Sequence, residues 1–197
     1  MEVVPLLSQS RFVPRTDPPR YGLAVLVIAA TERELAGLDG VVTGIGPVEA
    51  AAATARGLVE RSPQAVLHVG LAGSHDFAMP ELVIGSEALY CDADSPLVPP
   101  RAVPDAALVA AARAALPEAR FCPIGTSARV GGTTGCAVEA MEGFAVLRAC
   151  ELAGVPAVEV RVTSNEIDEP DRARWQFEEA LGLLRAALPG LVEALDA

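Results

Sequence analysis

The chain contains no lysine, so fifteen arginines carry its fixed positive charge against 26 acidic residues, and the formal charge is −11. A field of that sign repels phosphate backbones and anionic lipid, which speaks against nucleic acid or a membrane surface as a partner. An anionic small ligand would need a locally positive pocket. Aromatic residues make up only 4% of the chain, which leaves the core to Ala, Val, Leu and Ile. Long hydrophobic runs are missing too. The longest, Leu23 to Ala30, falls far short of the roughly 20 residues a membrane-spanning helix needs. The first residues lack the basic start of a signal peptide: Glu2 stands there, and prolines at positions 5, 14, 18 and 19 interrupt the next stretch of chain. Histidine is limited to His68 and His75, and Cys91, Cys122, Cys136 and Cys150 form no C-x-x-C pair. Small buried thiols, rather than zinc ligands or disulfides, are the expected role of these cysteines. No metal and no cofactor is expected, and reduced cysteines suit a cytoplasmic protein.

What is present suffices for a sizeable core: 197 residues, 51% apolar and 21% charged, fit one domain. Residues 1–20 read as a Pro-rich extension without periodicity, and residues 21–197 as a single domain. Gly22–Ala30 is an almost wholly apolar run, as expected of a strand buried on both faces. Val41–Thr43 predicts a short strand. Gly44-Ile45-Gly46-Pro47 then opens an Ala-rich helix to about Glu60, with proline in the first turn, where its missing N–H is no loss. Ala65–Leu71 and Leu82–Tyr90 read as strands, Asp105–Leu116 as a helix, and Cys122–Val130 as a strand before a Gly-rich loop. Cys136–Ala153 predicts a helix closed by Gly154. Ala157–Thr163 predicts a strand with Val158, Val160 and Val162 on one face and Glu159 and Arg161 on the other. The last helix runs from Asp171 to Leu188, where Pro189-Gly190 breaks it. Strands alternating with helices predict an α/β fold with a mostly parallel sheet. Ligands of such sheets sit at the carboxyl ends of strands, so the polar residues there are the candidates for chemistry.

Taken singly, those residues have plain structural readings. Glu32 and Glu34 are favoured by the dipole of a first helical turn, with Thr31 as N-cap. Gly44-Ile45-Gly46 before a helix marks a tight turn, and Glu49 stands where a dinucleotide fingerprint needs its third glycine, which argues against an oxidoreductase. Met141 and Phe144, three apart, suit core packing. Glu142 between them wants a partner, and Arg161 is a candidate.

Their order along the chain resembles the nucleoside phosphorylase and nucleosidase superfamily. The matching pieces are Ala30-x-Glu32-x-Glu34, TGIG (43–46), VGLAG (69–73), EALYCDAD (87–94), MEG (141–143) and RVTSN (161–165). Within it, AVEAMEGF (137–144), VPAVEVRVTSN (155–165) and PDRARW (170–175) resemble futalosine hydrolases of menaquinone biosynthesis. The resemblance implies a three-layer α/β/α fold around a central, mostly parallel mixed sheet. It also implies a purine nucleosidase that releases hypoxanthine, no cofactor, a small nucleoside as substrate, and a homo-oligomer, a dimer.

By the same resemblance Glu34 is the general base that activates water, Glu142 accepts hydrogen bonds from the ribose hydroxyls, and Arg161 orients water and base. Met141 and Ile45 pack on the sugar, while Leu71, Ala72, Gly73 and Ser164 line the site near the attacking water and the base. Asn165 stands where methylthioadenosine nucleosidases have an aspartic acid that donates to purine N7. An amide accepts from N7–H and donates to a 6-oxo group at once, a pattern that suits hypoxanthine. Ala140 replaces the acid that precedes the methionine in adenosine-type enzymes. His68 occupies the place of a phosphorylase arginine, so water is the expected nucleophile. The rival readings are a methylthioadenosine/adenosylhomocysteine or 6-aminodeoxyfutalosine nucleosidase, and a non-catalytic nucleoside-binding relative.

Overall fold

A computed structural model describes residues 24–75, 77–130 and 135–196. The expected extension over residues 1–20 and most of the Gly-rich loop after residue 130 lie outside the described residues. The apolar run near the start forms β1 (Val25–Ala29), every residue of it buried. It pairs in parallel with β2 (Gly40–Val42) and β3 (Ala65–Ser74). From β3 the sheet continues in parallel to β8 (Ala157–Glu166), which lies antiparallel to β4 (Leu82–Tyr90). Strand β4 pairs in parallel with β6 (Arg120–Thr126), and a short β5 (Arg101–Ala102) runs antiparallel along its end. Strand β6 pairs in parallel with β7 (Val138–Ala140), which returns antiparallel to the tip of β3. The pairing therefore closes through β3, β8, β4, β6 and β7, with β1 and β2 as an open wing.

Strand alternation sorts side chains onto two faces. Val25, Val27, Leu67, Val69, Val158, Val160 and Val162 join Leu184, Leu188 and Leu191 in one core. That core is covered by α1 (Glu32–Leu35), α3 (Ala106–Ala115) and α5 (Phe177–Leu195). Leu26, Ile28 and Val66 form the other core with Phe144, Val146, Leu147 and Cys150, under α2 (Pro47–Arg61) and α4 (Gly143–Ala153). The result is three layers, α/β/α, around a mixed sheet.

Two segments depart from the sequence expectation. The helix expected from Cys136 begins only at Gly143, because residues 138–140 are recruited as β7 by backbone pairing with both β3 and β6. Glu142 is therefore the N-cap of α4 and lies outside the helix proper. The last helix begins at Phe177, after a single 3-10 turn over Arg172–Arg174, and passes through Pro189 to Leu195. Leu184, Leu188, Leu191 and Leu195 keep one buried stripe across the proline, and that burial outweighs the lost hydrogen bond, a cost of about 3 kcal/mol.

Candidate active site

The carboxyl ends of β1, β3 and β8 open, together with β7, on a cavity of about 360 Å³. Of the site residues expected from sequence, Glu34, Ile45, Leu71, Ala72, Gly73, Met141, Glu142, Ser164 and Asn165 all line it. Arg161 does not. It is fully buried one layer behind the wall, against Leu71 and Glu142.

Each polar group is placed by local structure. Thr31 N-caps the four-residue α1 in a capping box, and Glu34 answers with Oε2, accepting from the Thr31 N–H at 2.9 Å and hydroxyl at 2.7 Å. Its other oxygen, Oε1, accepts from the Leu71 N–H at 2.9 Å. The cap reading and the cavity reading of Glu34 thus hold together: the cap fixes one oxygen and turns the other inward. Glu142 accepts from the Gly46 N–H at 3.1 Å through Oε1, and its Oε2 lies 3.4 Å from Arg161 Nη1. Gly46 has φ of 101°, a conformation that favours glycine and aims its N–H at the carboxylate.

Asn165, the chain's only asparagine, owes its direction to a β-bulge. Ala72 faces Thr163 but Gly73 faces Asn165, so one extra residue, Ser164, breaks the alternation. The amide orientation follows from its partners. Nδ2 donates to the Glu166 carbonyl at 2.9 Å, an atom that can only accept, and Oδ1 accepts from the Ser164 hydroxyl at 2.9 Å. A side chain on Gly73 would begin 3.0 Å from Nδ2, so the glycine keeps room for the amide.

Behind the wall Arg161 sits in a charged cluster with Glu159 and His68, two residues that the sequence did not mark as part of the site. Arg161 donates through Nε to Glu159 Oε1 at 2.8 Å and through Nη2 to His68 Nε2, and all three residues are fully buried. Burial, and then the Arg161 charge, hold the His68 imidazole well below its ordinary pKa, so the ring is neutral. Burial pushes the Glu159 carboxyl up despite its arginine partner. The same burial disfavours the charge on Arg161, but Glu159 and Glu142 more than offset it. The signal in sequence was the i, i+2 pair of charges in an otherwise apolar strand, a sign of a paired buried cluster.

Other wall residues also escaped the sequence reading. Glu139, Val130, Ile167, Arg172, Trp175 and Phe177 reach the same cavity. His75 does not, lying 4.0 Å from Asp168. No group of residues able to hold a metal ion occurs among the described residues.

The phosphorylase superfamily model matches residues 40–195 of the chain. A futalosine hydrolase of Streptomyces coelicolor is 33% identical over 193 residues, 81% of this chain and 80% of that protein. A 5'-methylthioadenosine/S-adenosylhomocysteine nucleosidase of Shewanella halifaxensis is 31% identical over 162 residues, 67% of this chain and 70% of that protein. Among solved structures, a futalosine hydrolase mutant of Helicobacter pylori superposes with a TM-score of 0.77 at 19% identity, over 87% of this chain and 99% of that one. That last likeness is one of fold.

Proposed function

The chain belongs to the phosphorylase superfamily, among its nucleosidases, and from that premise we propose that it hydrolyses the N-glycosidic bond of futalosine to release hypoxanthine, for menaquinone biosynthesis. The observation that carries this reading is the meeting of Glu34, Glu142 and Asn165, far apart in sequence, around one cavity.

N-glycosidic hydrolysis passes through a ribosyl cation-like state. Glu34 takes a proton from water as its oxygen bonds to C1′ and the C1′–N9 bond breaks. The same carboxylate stabilises the positive charge that develops on the sugar. Glu142, held by Gly46 and Arg161, accepts from the ribose hydroxyls. The electron pair of the broken bond leaves with the purine, which takes up a proton from solvent at N7. Asn165, with one lone pair on Oδ1 and one hydrogen on Nδ2 left over, accepts from that N7–H and donates to the 6-oxo group. Arg161 acts from behind through Glu142, which revises its expected place beside the water.

The choice of futalosine over methylthioadenosine rests on that amide and on the far wall. Futalosine carries a carboxylate on an aromatic end, and the cavity there offers Trp175 with the Arg172 guanidinium 5.5 Å from its ring centroid. Arg33 is already paired with Glu178, whereas Arg172 is in no ion pair among the described residues. A pocket with an arginine over an indole suits an aromatic carboxylate; a methylthio group needs neither.

A homodimer completes the reading. Two copies at −11 each associate best where charge is sparse, and the face between α2 and α4 is lined mostly by apolar residues, with Arg148 as its only charged side chain among the described residues. Val48, Val59 and Leu152 are 74%, 72% and 60% exposed there. A cytoplasmic setting, which keeps thiols reduced, is part of the same proposal.

The test is incubation of the purified protein with futalosine, inosine and methylthioadenosine, with and without phosphate. Hypoxanthine released from futalosine without phosphate is the expected result. Release that requires phosphate would overturn hydrolysis, faster adenine release from methylthioadenosine would overturn the substrate, and no release at all would favour a nucleoside-binding protein.

A further inference from the structure

Arg161 makes its tightest hydrogen bonds away from the cavity. Nε–H meets Glu159 Oε1 at 2.8 Å and Nη2–H meets His68 Nε2, while Nη1 reaches the Leu71 carbonyl and Glu142 Oε2 only at 3.4 Å each. The position of the guanidinium is thus set from behind, by two residues that do not line the cavity. The His68 ring is itself fixed. Its Nδ1 lies 3.0 Å from the Ile28 carbonyl, which can only accept, so Nδ1 carries the hydrogen and Nε2 keeps its lone pair for Arg161.

Two glycines make room for this cluster. A Cβ on Gly143 would fall on the Glu159 carboxylate, and one on Gly70 would fall on Arg161 Nη1, 2.8 Å from Glu34 Oε1. Gly70 of the VGLAG segment and Gly143 of the MEG segment are therefore explained by space given up to buried charge. The cluster is a poor stabilising device. Glu159 Oε2 has no hydrogen-bond partner among the described residues, and well-packed apolar residues in place of buried ion pairs are often neutral or stabilising.

We infer that His68 and Glu159 are positioning residues, a buried clamp that holds Arg161 so that Glu142 presents its carboxylate to the ribose. The inference rests on the nucleosidase reading of the cavity. Its test separates the acceptor at Nε2 from simple filling of the core. His68→Gln places an amide oxygen near the position of Nε2. His68→Asn can still donate to Ile28 but is too short to reach Arg161. Futalosine kinetics and hypoxanthine affinity by calorimetry are measured for both, with the melting temperature of each.

His68→Gln is expected to stay within about twofold of the parent, and His68→Asn to lose about 10- to 100-fold in kcat/KM, the scale of hydrogen bonds to charged groups. Hypoxanthine affinity is expected to be unchanged in both, because the base meets Asn165 and not Glu142. Glu159→Gln, which keeps the acceptor, and Glu159→Val, which removes it, should separate in the same way. Losses that track melting temperature instead of the acceptor, equal losses in hypoxanthine affinity, or full activity in His68→Asn would each overturn the clamp. Should the parent release no base from any nucleoside, the reading of the cavity fails. The clamp is then judged on binding alone: His68→Asn must weaken inosine and spare hypoxanthine, and equal effects on the two refute it.

Discussion

The cavity between α2 and α4 measures about 870 Å³ and is walled by Ala, Val, Leu and Phe side chains. The cavity at the ends of β1, β3 and β8 measures about 360 Å³ and gathers three glutamates and an asparagine. The larger space asks nothing of its neighbours beyond apolar surface. The smaller one is backed by fully buried charge, with a bulge, a capping box and glycines arranged to accommodate it. Buried polar groups are costly unless paired, and their concentration at one cavity is what supports our proposal that chemistry is done there. Volume alone would have pointed to the wrong side of the sheet.

The sharpest way to break that contrast is to remove a single negative charge from the small cavity. Glu34→Gln keeps size and the capping interaction with Thr31 but cannot take a proton from water. Loss of a general base is worth about 10²–10⁴-fold, and we expect kcat to fall on that scale while calorimetry shows hypoxanthine bound as before. Turnover equal to the parent would remove Glu34 from the mechanism. A smaller effect is expected from Asn165→Asp. A carboxyl group that can be protonated suits a 6-amino purine, so the ratio of futalosine to methylthioadenosine kcat/KM should fall by about 100-fold, since sites that hydrogen-bond a base discriminate strongly. An unchanged ratio would place base selection elsewhere.

The contrast also explains what the sequence made legible. The apolar strands were plain because β1 and β3 are buried on both faces and so read as nearly continuous apolar runs, while Val158, Val160 and Val162 share one core face as strand alternation predicts. The line-up of Glu34, Glu142 and Asn165 followed from the family resemblance that the ordered motifs carry, with Glu34 and Glu142 shortly after β1 and β7 and Asn165 at the carboxyl end of β8. The start of α4 was hidden because Val138–Ala140 has helical neighbours and becomes a strand only through pairing with distant β3 and β6. Pro189 was misleading for the opposite reason: a local breaker was overruled by a leucine stripe packed on the sheet. His68 looked like a substituted phosphate ligand. Its role depends on Ile28 and Arg161, residues 40 and 93 positions away, and no local pattern reports such a contact. Arg172 and Trp175 belong to the PDRARW segment, but only the return of the chain across the cavity mouth brings them into its wall.

A smaller effect than either active-site change concerns the neutral His68. Its folded pKa lies below its ordinary value of 6.5, so the unfolded chain binds a proton that the folded one refuses. The stability this histidine allows is fully present above about pH 6.5 and is lost as the pH falls from there toward the folded value. Between pH 7 and pH 5 the parent should therefore lose up to about 2 kcal/mol more unfolding free energy than His68→Gln, which has no such proton to refuse. Urea midpoints at the two pH values measure it, and equal losses would mean that the imidazole is charged in the fold.

The smallest effect on the fold itself is expected on the other side of the sheet. Leu152 is 60% exposed on α4, beside the large cavity, and Leu152→Asp removes no buried contact from the monomer. Surface changes of that kind usually stay within about 0.5 kcal/mol, so the unfolding midpoint of the isolated chain should barely move. If that face joins two copies, the same aspartate is buried twice across the symmetry axis, and burying unpaired charge at an interface is strongly unfavourable. Light scattering should then report a monomer for Leu152→Asp and a dimer for the parent. A parent that is monomeric, or a variant that stays dimeric, would show that the large cavity is not the interface between two copies.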